Sequence, residues 1–371
     1  MHIRKILSTL LLMTLLAGVM LAAGCQSGTP TNAPAEKVKV GVLYISPIDD
    51  GGWSTAHNRG FVMAENEIGK DKIEWVTKEN IPDTDAAATE TALRIMADAG
   101  CQIIFATSYN YMDTVEKLAK EYPEIKFEHC SGYKTADNMD NYFGQIEQPR
   151  FLSGIVAGLT TKSNKIGYVA AIPIPEVVRG INAFTLGVRS VNPDAEVHVR
   201  WTNTWFDLSL ESAAANELLN LGCDVTSQHQ DSAATLKAAE AKGVFGIGYD
   251  NPMGDAAPKA YLTAPIWNWG AYYTKKIKAV MDGTWSVEQY WGGMKEGMVG
   301  LDTLTDLVPQ AAKEKVAEIE PMILEQGNDY VFKGPIKDNQ GNEKVAAGTS
   351  LSKADQMGMD WFVEGVVGSV G

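Results

Sequence analysis

The order of apolar strands and amphipathic helices constrains this chain most, because it runs through twice. From residue 38 the pattern reads strand (38–45), helix (54–68), strand (73–77), helix (85–99), strand (101–107), helix (112–121) and strand (125–129). It restarts at 165 with strand (165–171), helix (176–190), strand (197–202), helix (210–219), strand (223–226), helix (232–241) and strand (244–249). Short apolar runs bounded by Gly, Asn and Asp and separated by helical patterns read as βαβ units of a parallel sheet. The letters echo as well: KVKVGVLY against NKIGYVAA, and LRIMADAGCQIIFATS against ANELLNLGCDVTSQHQ, about 122 to 126 residues apart. Two similar α/β lobes in tandem fit this better than one large sheet. Their expected limits are 38–147 and 148–261, with FLSGIVAGL in a helix that leads into the second lobe. Residues 262–371 then supply hinge crossings and a closing segment, parts of which complete the first lobe. In that segment 262–266 reads as a strand, 268–281 as a helix, 289–301 as strand-like, 309–326 as a helix, and the stretch around Trp361 as helix-like.

The first 24 residues read differently. Arg4 and Lys5 precede an apolar run that closes on small residues and Cys25, the grammar of a secretory signal peptide. LAAGC resembles a bacterial lipobox, with Ala22 where Leu is commoner, so Cys25 is the expected lipidation site. Residues 25–37 are rich in Pro, Ser, Thr and Ala and read as a flexible tether. This implies an extracytoplasmic protein held at the membrane through Cys25. Net charge is −14, and −16 once Arg4 and Lys5 are removed, which argues against nucleic acid or a bare anionic bilayer as partner. Three cysteines remain beyond Cys25, an odd number that excludes a complete disulfide framework. Cys101 and Cys223 open strands, where a thiol serves as a small apolar residue.

In open α/β sheets ligands bind outside the carboxyl ends of the strands. At those ends stand Asp49, Asp50, Gly51, Gly52 and Trp53, then Ser108, Tyr109 and Asn110. In the second half come Thr204, Trp205 and Phe206; His229, Gln230, Asp231 and Ser232; and Asp250 with Asn251. Trp267, Asn268 and Trp269 follow the next crossing. Indoles from both lobes, with carboxylates and amides between them, suit a flat heteroaromatic that carries N–H and O–H donors. The expected ligand contacts are Asp49, Trp53, Tyr109, Asn110, Trp205, Asp231, Asp250, Trp267 and Asn268; His57 could edge the cleft. The Gly-rich loop lacks G-x-G-x-x-G and a P-loop lysine, and its paired aspartates would repel phosphate. The five histidines show no metal-ligand spacing, and no Ser or Cys sits in a nucleophile motif. The expectation is a binding protein with no metal, no cofactor and no catalysis.

From about residue 38 to the end, the chain resembles the basic membrane protein (BMP) family of ABC-transporter substrate-binding lipoproteins, which includes purine nucleoside receptors. IDDGGWS is similar to that family's Ile-Asp-Asp-x-Ser-Phe-Asn loop, so Trp53 stands where the family places a stacking Phe. WTNTWFD resembles Tyr-Thr-Gly-Ser-Phe-x-Asp, which puts Trp205 on the second stacking Phe. GYDN resembles Gly-Val-Asp, so Asp250 matches an acid that contacts ribose or base, and GPIKDNQG is similar to the family's C-terminal region. Three features depart from the pattern. In YLTAPIWN, Trp267 falls where nucleoside binders carry a Lys; Ser54 replaces the usual Asn; HQDS replaces a small, Gly-rich loop. The resemblance implies a type I periplasmic binding protein, two Rossmann-like lobes with parallel sheets joined by a multi-crossing hinge. It implies a monomer that closes on a purine and hands it to ABC permease subunits. The indole at 267 favours a free base such as adenine or hypoxanthine. A purine nucleoside, a riboflavin-like heterocycle, or a sensor role for the same fold are the alternatives.

Overall fold

The first strand is apolar on both faces because both faces are covered, as in parallel sheets flanked by helices. Five of the six residues of β1 (Val38–Leu43) are buried. The computed structural model describes residues 37–370; the expected leader, tether and Cys25 lie outside them. The chain continues through α1 (Trp53–Ile68), β2 (Ile73–Lys78), α2 (Ala86–Asp98), β3 (Ile103–Ala106), α3 (Met112–Glu121), β4 (Lys126–Cys130) and β5 (Met139–Gly144). After α4 (Glu147–Thr160) come β6 (Lys165–Ala170), α5 (Pro175–Val191), β7 (Glu196–Trp201), α6 (Leu208–Asn220), β8 (Val225–Gln228), α7 (Ala234–Ala241) and β9 (Phe245–Gly246). The last third holds β10 (Pro265–Trp267), α8 (Gly270–Met281), β11 (Tyr290–Gly292), β12 (Val299–Leu301) and α9 (Gln310–Gln326). It ends with α10 (Asn328–Val331), β13 (Ile336–Lys337), β14 (Glu343–Val345), α11 (Lys353–Met357) and β15 (Val366–Val367).

Two parallel sheets result. The first has the order β11-β5-β4-β3-β1-β2 and the second β15-β7-β6-β8-β9. The last third is shared between them: Tyr290–Gly292 edges the first sheet and Val366–Val367 the second. β10 pairs antiparallel with β12 outside both sheets. The stretch around Trp361 is not helical; only Lys353–Met357 winds, and the chain then runs irregularly to β15.

α4 leads from the first sheet to the second and packs closely on α5. Small residues permit this approach. A methyl on Gly154 would fall on the carbonyl oxygen of Phe184, and one on Gly187 would fall on that of Phe151. Cys101, Cys130 and Cys223 are buried free thiols, and burial pushes the first and last up to about 11. Among the described residues no helix is long and apolar enough to cross a membrane.

β5 went unread in the sequence because its core is ionic. Asp140 and Glu128 are wholly buried, and Lys276 of α8 lies between them. The Lys276 ammonium donates to Asp140 and to the carbonyl of Ser286 (2.9 Å). Asp140 also accepts the amides of Glu288 (3.1 Å) and Gln289 (2.9 Å), while Glu128 accepts Tyr272 Oη and Trp285 Nε1, each at 2.6 Å. Burial pushes the Glu128 carboxyl up to about 7, against the opposing pull of Lys276. A carboxyl raised in the folded state stabilises fully below its ordinary value of 4.5, and that contribution is lost as pH rises through about 7. Urea denaturation should therefore show stability falling across this window, and Glu128→Gln should flatten the fall. Lys276→Met leaves two buried carboxyls without their cation and should cost about 3–5 kcal/mol at neutral pH.

Candidate ligand cleft

The first wall of the cleft is set by the start of α1. The leading amides of a helix have no partner inside it, and here Asp50 takes them. Its Oδ1 accepts the amides of Gly52 (2.8 Å) and Thr55 (3.0 Å) and the Thr55 hydroxyl (3.0 Å). Its Oδ2 accepts the Ser54 amide (3.0 Å) and the Ser46 hydroxyl (2.5 Å). Trp53 thus becomes the first residue of a firmly started helix, and its Nε1 donates to the Thr107 carbonyl (2.6 Å) at the end of β3.

Opposite stand the strand ends of the second sheet. The Asp231 amide donates to the Trp205 carbonyl (3.1 Å), tying the loops after β7 and β8 together. A narrow, partly open space lies between the two sides. Its flat or apolar walls are Ile45, Trp53, Tyr109, Trp205 and Tyr249; its polar walls are Ser108, Ser131, Glu176, His229 and Asp231. Through Tyr109, Ser131 and Glu176 it adjoins an outer chamber of about 970 Å³ that opens to solvent, where Asn141, Arg179 and Trp291 also stand.

The polar walls differ in what they can offer. Ser108 donates to Asp83 (2.6 Å) and Ser131 to Glu176, which leaves hydroxyl lone pairs to accept. Asp231 is 3% exposed, yet its carboxyl makes no hydrogen bond to the described residues. Burial, then the nearby acids Asp250, Asp50, Glu211 and Asp83, push that carboxyl well up, toward the neutral form that both donates and accepts. Burial, with Arg150 and Arg179 nearby, pushes the His229 imidazole down, so it stays neutral. Arg150 lies wholly buried behind this wall, its Nη1 on Tyr168 Oη (2.5 Å) and the Gln228 carbonyl (3.1 Å), with its guanidinium 4.0 Å over the Tyr249 ring.

Of the residues expected from sequence, Trp53, Tyr109, Trp205 and Asp231 meet in this cavity. The other five do not line it. Asp49 is exposed to solvent, since its neighbour Asp50 is the one turned inward to cap α1. Asn110 and Asn268 are also exposed; their backbone amides hold Asp83 (3.4 Å) and the Met298 carbonyl (2.9 Å). Asp250 lies wholly buried, accepting the Trp267 Nε1 at 3.0 Å, with its other oxygen unpartnered among the described residues. Trp267 stands behind the wall. Its ring stacks on Trp269 (4.5 Å, 12° between planes) and meets Trp53 edge-on (5.6 Å, 88°). His57 is buried in the same column, stacked on Trp269 at 4.5 Å and bonded to the Tyr273 hydroxyl.

Ser131, Glu176 and Tyr249 were missed as lining residues. The rule that located Trp53 reaches Ser131 and Tyr249, which follow β4 and β9, and Glu176 through the loop from β6 into α5. Among the described residues no His, Cys, Asp and Glu cluster could hold a metal ion.

A family model described as Bmp, ABC transporter substrate-binding protein PnrA-like, matches residues 37–329. A purine-binding protein of Brucella abortus is 40% identical over 344 residues, covering 93% of this chain and 97% of its own length. A protein of Haloferax volcanii named for ABC-transporter glucose binding is 38% identical over 357 residues, covering 94% and 87%. A solved ABC-transporter solute-binding protein from Aeropyrum pernix shares the fold with TM-score 0.69 at 20% identity, covering 86% of this chain and 95% of that one.

The cap and its neighbour make a matched test. Asp50→Ala should destabilise the protein by roughly 1–2 kcal/mol, whereas Asp49→Ala should stay within about 0.5 kcal/mol of the parent. Chemical denaturation measures both.

Proposed function

The chain belongs to the Bmp family of PnrA-like ABC transporter substrate-binding proteins, and from that premise we propose that it captures a purine base, such as adenine or hypoxanthine, between Trp53 and Trp205. The observation that carries this reading is the narrow aromatic-walled space lined also by the buried Asp231, whose carboxyl makes no hydrogen bond to the described residues. Indoles on opposite sides of a narrow space suit a flat ring on its own. A neutral carboxyl matches an edge of the base that offers one N–H and one ring nitrogen or carbonyl side by side. Ser108 and Ser131 accept from further N–H groups. The purine-binding relative at 40% identity supports the same ligand class.

In this reading the protein works outside the cytoplasm, tethered through Cys25 as a monomer. It closes on the base by hinge motion and delivers it to membrane permease subunits. Capture involves no covalent step, so the residues act by stacking, accepting and excluding water. A second reading, a purine nucleoside, is favoured by the outer chamber, whose Glu176 and Arg179 could take sugar hydroxyls. The glucose-binding name of the Haloferax volcanii relative makes a sugar worth testing beside the purines.

Calorimetric titration with adenine, hypoxanthine, adenosine, inosine and glucose separates these readings. The free bases are expected to bind most tightly. Clear preference for the nucleosides overturns the free-base reading, and binding of glucose alone overturns the purine reading. Each stacking face is worth roughly 1–3 kcal/mol, so Trp53→Ala and Trp205→Ala should each weaken binding about 5- to 150-fold.

A further inference from the structure

Gly52 and Asn251 lie 199 residues apart and belong to opposite walls of the cleft, yet they are bonded. Asn251 is 3% exposed and uses both ends of its carboxamide. Its Nδ2 donates to the Gly52 carbonyl, and its Oδ1 accepts Arg59 Nη1 at 2.6 Å. This orientation follows from chemistry, since a carbonyl can only accept and a guanidinium can only donate. Gly52 directly precedes Trp53, and Arg59 lies two helical turns further along α1. One amide side chain from the second wall therefore grips the start and the flank of the helix that carries the first stacking ring.

The grip is set by what surrounds it. Asn251 follows Tyr249, a cavity wall, and Asp250, which holds a positive φ of 70° and is pinned through its carbonyl to the Trp267 amide (3.1 Å). Such a backbone angle is uncommon for a residue other than glycine and persists where its surroundings enforce it. On the other side Gly52 lies directly against the backbone of Asp231, where a methyl group would overlap the Asp231 carbonyl. Asp231 in turn presents the free carboxyl of the cavity. These contacts join the two walls, so they can exist only while the cleft is shut.

We propose that Asn251 is a positioning residue for ligand capture, a latch that forms on closure, fixes Trp53 over the cavity through Gly52, and slows ligand escape. Arg59 acts through it by holding the carboxamide in the donating orientation. The latch rests on the capture reading above, but it concerns closure, which is measurable without any ligand.

Asn251→Asp tests it with little change of shape. The carboxylate keeps Arg59 but cannot donate to Gly52. Stopped-flow tryptophan fluorescence with adenine should show the off-rate rising about 10- to 100-fold while the on-rate changes far less, since variants of one site differ mostly in off-rate. Small-angle X-ray scattering of the ligand-free protein should show a larger radius of gyration for the variant than for the parent. Arg59→Met should shift both quantities the same way by a smaller factor. Gly52→Ala, which blocks the contact sterically, should match Asn251→Asp in scattering. A merely structural asparagine would lower the melting temperature without changing the radius of gyration or the off-rate, and that result overturns the proposal. If none of the offered ligands binds, the purine reading fails, and the scattering comparison still decides the latch: a larger radius upholds it, an unchanged one removes it.

Discussion

The unpaired amides at the start of α1 are the constraint on which the cleft depends. Leaving them buried and unsatisfied would cost on the order of 1–3 kcal/mol each, and a single carboxylate, Asp50, takes those of Gly52, Ser54 and Thr55. That choice has consequences beyond the helix. It fixes Trp53 as the first helical residue, with its indole N–H on the Thr107 carbonyl and its ring facing the cavity. It also removes Asp50 from the pool of ligand contacts, because its oxygens are already engaged. In the proposed capture reading, recognition by a carboxyl then falls to Asp231 on the other wall, whose oxygens make no hydrogen bond to the described residues.

Behind Trp53 the aromatic rings form a packed column rather than a second stacking face. Trp267, Trp269 and His57 lie nearly parallel in succession, and Trp53 meets all three edge-on. Edge-to-face contacts place the positive ring edge on the negative face and add roughly 0.5–1.5 kcal/mol per pair beyond burial. The column has a cost in adaptability: a ring held from several sides cannot tilt far to meet a new ligand. Trp267 also ties it to the second wall through Asp250. Trp267 thereby shapes the site without lining it, by setting where Trp53 can stand.

The fold was legible because parallel sheets need continuous apolar strands, and those runs repeat through both halves of the chain. The short strands β13 to β15 of the last third and the strand β5 escaped this reading, and β5 is instructive. Its sequence MDNYFG carries a buried acid whose burial is offset by Lys276, more than a hundred residues away. Hydropathy periodicity has no access to such a pairing. The site was legible in position but not in direction. The strand-end rule brought Trp53, Tyr109, Trp205 and Asp231 forward, and it applied equally to Ser131, Glu176 and Tyr249. It could not separate Asp49 from Asp50, since which of two adjacent carboxylates turns inward is decided by the amides of α1. Nor could it foresee that Trp267, two residues from Trp269, would bring both indoles into one stack. That depends on β10 leaving the sheets to pair with β12.

The electrostatics of the cleft run against the charge of the chain as a whole. A net charge of −14 would favour cations, yet most charged groups near the cavity are compensated or neutralised. Arg179 is held by Glu147, whereas Arg150 meets two aromatic rings and a carbonyl but no acid, and its Nε and Nη2 have no partner among the described residues. The Asp231 and Glu176 carboxyls are pushed up by burial, and His229 is pushed down by it. In the proposed capture reading, a neutral ring loses little hydration on entering such a cleft and gains two stacking faces. In that reading, burial of Asp231, Glu176 and His229 works in favour of an uncharged, flat ligand, while the orphaned nitrogens of Arg150 leave one positive group behind the wall without an acid.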